Sequence, residues 1–232
     1  MRCGLLGEKL GHSYSPALHA LFGDYDYELF EVSPDRLGDF LRVRDFQGLN
    51  VTIPYKTTML AICDDLTETA ATIGSVNTVL KQLDGSLLGD NTDAAGFEGM
   101  VWKSRIRILG RKCLVLGSGG ASLSAQYVLR KLGAGEVVVI SRTGENNYDN
   151  LDRHQDAAVI VNATPVGMYP NTAASPVDLR QFPHCEGVLD LIYNPARTAL
   201  LQQAETLGIP HLGGLYMLAE QARCAAQLFT GE

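Results

Sequence analysis

The stretch Lys112-Cys113-Leu114-Val115-Leu116-Gly117-Ser118-Gly119-Gly120-Ala121 decides how this chain folds. Its first five residues end in an unbroken apolar run, as in a strand buried on both faces of a parallel sheet. Glycines follow, and then a helical pattern from about Ala121 to Leu132. Strand, glycine turn and helix is the arrangement that offers a pyrophosphate free N–H groups and a positive dipole end. Gly117 permits the tight turn, and Gly119 lets the backbone come close to phosphate. The third glycine of the usual fingerprint is Ser122 here. An ordinary glycine-rich turn therefore stands as the alternative at this point.

Further along, Glu136 to Ile140 reads as another buried strand, and Ala158 to Val161 and Gly187 to Leu191 as two more. Such strands alternating with helices predict an α/β fold with a parallel sheet. The residues after the second strand bear on the cofactor. An NAD site usually has Asp or Glu there, for the ribose 2′-hydroxyl. This chain has Ser141-Arg142-Thr143. A guanidinium flanked by hydroxyls suits a 2′-phosphate, which favours NADP, unless Arg142 is only a solvated loop charge.

The first half has a different rhythm. Strands are expected over Cys3 to Leu6, Tyr25 to Val32 and Gly48 to Ile53, and helices from Pro16 to Leu21 and from Asp35 to Arg42. Ser33-Pro34 reads as cap and first-turn proline of the second helix. Another helix is expected after Pro54. Val76 to Leu83 and Ser86 to Leu88 flank Asp84-Gly85, a hairpin signal. The change of rhythm places a domain boundary between Asp93 and Arg111. A last helix spans about Met217 to Phe229.

Composition narrows the function. The 232 residues are 46% hydrophobic and 19% charged, enough for a packed core. A formal charge of -7 without a basic run argues against nucleic acid as a partner. No apolar stretch reaches the roughly eighteen residues of a membrane helix, and the N-terminus lacks a signal-peptide pattern. Cys3, Cys63, Cys113, Cys185 and Cys224 are spread out without a CxxC. That fits reduced thiols in the cytoplasm and predicts no metal site.

Polar residues gather in short clusters. In His12-Ser13-Tyr14-Ser15-Pro16, the two serines would present hydroxyls on one side of an extended segment. Ser15 also reads as a helix cap, and His12 as structural rather than catalytic. In Asn50-Val51-Thr52-Ile53-Pro54-Tyr55-Lys56, Asn50 and Thr52 share one face. Lys56 would fall in the first turn of a helix, where the dipole disfavours a cation. Asn77 and Asp93 are further polar residues at strand ends, unless they only form turns. Together these residues offer neutral donors and acceptors, one amine and one carboxylate. That set suits a small polyhydroxylated acid.

In these stretches the chain resembles the shikimate dehydrogenase family, as it does in Ser75-Val76-Asn77-Thr78, Gly89 to Phe97, Asn162-Ala163-Thr164, Val166-Gly167-Met168 and Gly213 to Gln221. The resemblance runs nearly end to end. It implies NADPH-dependent, reversible reduction of 3-dehydroshikimate to shikimate in aromatic biosynthesis. It also implies two α/β domains with a cleft between them: a discontinuous substrate domain over 1–94 plus 215–232, and a Rossmann-like NADP domain over 95–214. Carried over, Lys56 and Asp93 form the catalytic pair. Ser13 and Ser15 bind the substrate carboxylate, helped by Tyr193. Thr52, Asn77 and Gln221 bond the ring hydroxyls, with Asn50 lining the cleft. Gly117, Ser118, Gly119, Gly120 and Ala121 hold the pyrophosphate. Ser141 precedes Arg142 and Thr143, which hold the 2′-phosphate. Asn162, Ala163, Thr164, Leu191 and Gly214 line the nicotinamide side. A monomer or a homodimer is expected.

The chain departs from the family pattern after the second strand. Ser141 replaces the usual Asn, and Gly144-Glu145-Asn146-Asn147 stands where a second basic residue often lies. The segment from Thr143 to Asp156 is short, so a helix and possibly a strand should be missing there. These departures leave an NAD-using quinate/shikimate dehydrogenase as one alternative. A non-catalytic NADP-binding regulator is another. Methylene-tetrahydrofolate dehydrogenase has a related layout but matches the serine and Asn-Thr-Asp stretches less well.

Overall fold

A computed structural model describes residues 1–11 and 13–231 of the chain. His12 lies outside them. The chain divides into two compact units, Met1–Ala95 with Ala219–Glu232, and Gly96–Leu218. Each has its own sheet.

The second unit is a parallel sheet of five strands: β7 (Lys112–Leu116), β8 (Glu136–Ile140), β9 (Val159–Asn162), β10 (Gly187–Asp190) and β11 (His211–Gly213). Their order is β11-β10-β9-β7-β8. Helix α5 (Gly120–Lys131) packs on β7 and β8, and α6 (Ala199–Thr206) on β10 and β11. On one face Leu114, Leu116, Ile140, Ile160 and Val188 meet Leu200, Leu201, Val177, Leu179 and Phe182. Strands covered on both faces need no polar alternation, which is why β7 reads as a continuous apolar run. The order equals the doubly wound 3-2-1-4-5-6 pattern without its third strand. Only a 3-10 helix, Tyr148–His154, occupies the region between β8 and β9 among the described residues. The connection is too short for a helix, a strand and a return crossover.

The first unit has a mixed six-stranded sheet. Its strands are β1 (Arg2–Gly7), β2 (Asp26–Glu31), β3 (Gly48–Val51), β4 (Asp65–Leu66), β5 (Thr78–Lys81) and β6 (Leu87–Asp90), in the order β2-β1-β3-β5-β6-β4. β5 runs antiparallel to both β3 and β6. The β5–β6 hairpin closes with Gln82 N–H bonded to Ser86 O and Gly85 N–H to Gln82 O, and Gly85 has φ +87°. That is a three-residue loop ending on a left-handed glycine. Helices α1 (Ser15–Phe22), α2 (Leu37–Val43) and α3 (Glu68–Ile73) belong to this unit. The chain leaves it within α4 (Thr92–Ser104) and returns within α7 (Leu215–Thr230). The core gathers Leu6, Phe46, Leu49, Val51, Tyr55, Met59, Val79 and Leu87. A second cluster forms at the end of α7, where Phe229 and Ala225 pack with Cys3, Tyr25 and Tyr27.

Three local expectations change. No α-helix follows Pro54; a 3-10 helix, Thr58–Ala61, begins only later. The Lys56 carbonyl accepts from Val76 N–H at 2.8 Å. That lateral bond holds the segment against β5's lead-in instead of letting it wind, so Lys56 sits in a turn and not at a helix start. Ser15 is the first residue of α1 rather than its cap, which is Tyr14. The segment after Ser33 opens as a 3-10 helix, Pro34–Arg36, and becomes α-helical from Leu37.

Gly48 gives α7 room to dock, since a Cβ there would lie 2.3 Å from the Phe229 ring. Gly48→Ala should therefore destabilise the protein by about 1–3 kcal/mol, the usual cost of overpacking. Urea unfolding measures it, and no change in midpoint would contradict this packing.

Candidate functional site

In the second unit the strand ends are level. Register aligns Leu116 with Ile140 and Asn162, Asn162 with Asp190, and Asp190 with Gly213. The residues immediately beyond are Gly117, Ser141, Ala163, Leu191 and Gly214, so every segment expected to hold a cofactor begins along one sheet edge. The strand order reverses between β7 and β9, which is where α/β sheets bind ligands. Gly117 has φ +103°, and a Cβ there would come within 3.0 Å of Ala163 O and Thr164 Cγ2. The glycine turn and the Asn162-Ala163-Thr164 loop therefore touch. α5 begins at Gly120, with Gly119 as its cap, no side-chain cap bond and no acid in its first turn. A Cβ on Gly119 would meet nothing within 4 Å. An uncapped helix N-terminus beside open space fits a pyrophosphate. Ser122, in the third-glycine position, is fully buried and small enough for close packing. Arg142 and Thr143 are exposed. Gly214 lies tight against its neighbours, since a Cβ would overlap Leu191 O.

A buried carboxylate organises this edge. Asp190 Oδ1 accepts from Asn162 Nδ2 at 3.0 Å and Ile192 N–H at 3.1 Å, and Oδ2 accepts from Thr198 Oγ1 at 2.6 Å. Asn162 Oδ1 in turn accepts from Thr164 N–H and Oγ1. One side chain thus ties the loops after β9 and β10 to the start of α6. Burial pushes the Asp190 carboxyl up to about 6, although its hydrogen bonds pull the other way. The sequence signal for it was faint: one acid closing the apolar run Val188-Leu189.

In the first unit the polar residues also share an edge. Lys56 Nζ lies 2.5 Å from Asp93 Oδ2, and both side chains are mostly shielded from solvent. Asp93 is in the first turn of α4. Next to it, Thr92 N–H donates to Asn77 Oδ1 at 2.7 Å, and Asn77 Nδ2 donates to Thr92 Oγ1 at 3.1 Å. Thr78 Oγ1 joins Thr92 Oγ1 at 3.0 Å and accepts from Asn50 Nδ2 at 3.3 Å. Tyr27 OH donates to Asn50 Oδ1 at 2.7 Å and is also bonded to Ser15. Ser13 Oγ accepts from Ser15 N–H at 3.2 Å. A chain of contacts therefore links Ser13, Ser15, Asn50, Asn77 and Asp93 to Lys56. Thr52 follows β3 directly, its N–H bonded to Leu6 O. Gln221 is buried on α7. Tyr193 belongs to the second unit.

Tyr27, Thr78 and Thr92 connect these residues, and the sequence carries no signal that singles them out, because a threonine at a strand or helix start and a tyrosine in a strand are common. His19 supports Tyr27 by stacking at 3.9 Å, and burial pulls its imidazole down to about 4, so it is neutral scaffolding. Burial holds the Tyr27 phenol well above its ordinary range, so it remains a donor.

Residues 5–79 match the shikimate dehydrogenase substrate binding domain. A shikimate dehydrogenase (NADP(+)) of Clostridium perfringens is 35% identical over 249 residues, covering 98% of this chain and 92% of the relative. Shikimate 5-dehydrogenase of Thermus thermophilus, solved with NADP(H) and shikimate, is 36% identical at a TM-score of 0.90, covering 100% of this chain and 94% of that one. Quinate dehydrogenase of Corynebacterium glutamicum, solved with NAD, is 28% identical at a TM-score of 0.89, covering 99% and 93%.

The raised Asp190 carboxyl has a stability consequence. Between its ordinary value of 3.8 and about 6 the folded chain binds more protons than the unfolded one, so its contribution falls as pH rises through that window. Across that window the contribution is about 3 kcal/mol. Asp190→Asn cannot titrate. Its stability relative to the parent should therefore rise from pH 4 to pH 7 in urea unfolding. A constant difference would contradict the assignment.

Proposed function

The chain belongs to the shikimate dehydrogenase family, and from that premise we propose that it interconverts 3-dehydroshikimate and shikimate with NADP(H), using Lys56 and Asp93 for the proton. The observation that carries this reading is the 2.5 Å Lys56–Asp93 contact beside a row of neutral hydrogen-bonding groups. Reduction of a ring ketone needs a hydride on carbon and a proton on oxygen. Bound NADPH supplies the hydride. The Lys56 ammonium donates the proton to the carbonyl oxygen, and in the reverse direction its amine accepts one from the hydroxyl. Asp93 orients the ammonium group. Ser13 and Ser15, with Tyr193, receive the substrate carboxylate. Thr52, Asn77 and Gln221 bond the ring hydroxyls, and Asn50 stands beside them. The polar inventory supports this because each group is a neutral donor and acceptor matched to a hydroxyl or carboxylate.

On the cofactor side, the Gly117–Ala121 turn takes the pyrophosphate, and Asn162, Ala163, Thr164, Leu191 and Gly214 line the nicotinamide. Arg142 and Thr143, preceded by Ser141 on the cofactor side, take the adenosine 2′-phosphate, to which a guanidinium can bond in bidentate fashion. The substrate domain is the discontinuous one, 1–94 with 215–232, and the cofactor domain is 95–214. All five cysteines are free thiols, which supports a cytoplasmic setting. One observation favours a second reading, an NAD-using quinate/shikimate dehydrogenase: Arg142 is followed by Glu145-Asn146-Asn147 and no second base.

Absorbance at 340 nm with shikimate or quinate, and NADP or NAD, tests the two against each other. Fast NADP reduction with shikimate is expected. Preference for NAD, or for quinate, would favour the second reading. Lys56→Ala should lower kcat by about a hundredfold or more, as loss of a general acid–base does. Asp93→Asn should lower it less. An unaltered kcat in Lys56→Ala would remove that residue from proton transfer.

A further inference from the structure

The segment after β8 that takes the place of a helix and a strand is tied to itself at three successive carbonyls. Asn147 Nδ2 donates to Gly144 O at 3.2 Å, Asn150 Nδ2 to Glu145 O at 2.8 Å, and Ser141 N–H to Asn146 O at 3.1 Å. The return bonds are equally local. Asn147 N–H donates to Asn150 Oδ1 and Asp149 N–H to Asn147 Oδ1, both at 2.9 Å. Asn146 Oδ1 lies 3.1 Å from Nε2 of His154, a buried residue. The turn is compact because residue 144 is glycine: a Cβ there would come within 2.6 Å of Ser141 Oγ. Arg142 projects from this turn, exposed, and no ion pair engages it among the described residues.

We propose that this asparagine knot, centred on Asn150, is a cofactor-specificity device that holds Arg142 ready for the 2′-phosphate and so offsets the missing second base. The inference rests on the reading of Arg142 given above. A lone guanidinium discriminates well only from an ordered turn. If the loop adopts the binding geometry a fraction of the time, affinity falls by that fraction, and ordering it beforehand removes the loss. The knot also pins Glu145, the one acid between Ser141 and Tyr148, by its own carbonyl. A released Glu145 could approach the phosphate and repel it. NAD carries a hydroxyl in place of that phosphate and is indifferent to both effects. Asn150 is thus a positioning residue whose loss has a signature: NADP weakens and NAD does not.

Calorimetric titration of the full chain with NADP+ and NAD+ tests this. Asn150→Ala should raise the Kd for NADP+ about tenfold, as a loop ordered a tenth of the time would. The Kd for NAD+ should stay within about twofold, because NAD draws nothing from the turn. In an Arg142→Ala background the same substitution should change the NADP+/NAD+ ratio by much less than tenfold, since the larger of the two effects acts through Arg142. Asn147→Ala cuts the Gly144 tether and should repeat the pattern if Asn150→Ala proves unstable. Equal weakening of both cofactors would make the knot merely structural and overturn the proposal. So would an unchanged ratio in Asn150→Ala while Arg142→Ala loses its preference. A preference that survives Arg142→Ala would instead overturn the underlying reading of Arg142.

Discussion

Parallel strands cannot be joined by a tight turn, so each chain return in the second unit must cross the sheet before the next strand begins. Every strand therefore ends on the same edge. Register makes the edge level, with Ile140, Leu116, Asn162, Asp190 and Gly213 in line. The last ladder bonds lie at this edge, from the N–H groups of Gly117, Ala163 and Leu191 to Ile140 O, Leu116 O and Asn162 O. Just beyond it, backbone N–H groups find other partners: Thr164 on Asn162 Oδ1, Ile192 on Asp190 Oδ1, and Gly214 on Ile192 O. The cofactor-binding reading depends on that edge more than on any single residue.

The first unit reaches a similar result through antiparallel pairing. β5 runs against β3 and β6, so its start meets their ends. Asn77 precedes β5, and its main chain bonds both Val51 N–H and Asp90 O. Polar side chains from β3, β5, the residue before β5 and α4 then fall together in a buried network. Such a network is rigid when complete, and each unpaired member would cost about 1–3 kcal/mol. Completeness is what lets Asn50, Asn77 and Asp93 keep fixed positions next to Lys56.

The trimmed segment after β8 obeys a different economy. A third strand would have contributed ladder bonds and apolar contact. The chain instead satisfies its carbonyls with asparagine amides three to five residues away. Local bonds close short loops and so cost little conformational entropy. The result is a short turn with defined shape on a smaller sheet.

The sequence by itself determined the α/β class, the two parts of the chain, the buried strands and the glycine turn, because each rests on local pattern. Apolar runs, period-two alternation and Gly at a left-handed turn need no distant partner to be read. It also carried the family resemblance, in motifs spread over nearly the whole length. What it could not show was how distant residues satisfy one another. Lys56 looked like a misplaced cation at a helix start; a bond from Val76 N–H keeps it in a turn, where it meets Asp93. Ser15 looked like a cap; tertiary packing gave its hydroxyl to Tyr27. Asp190 looked like the end of a strand, and burial beside Asn162 and Thr198 made it a hub. Hydrogen-bond partners 8 to 37 residues apart leave no periodic trace, so only the folded chain could decide them.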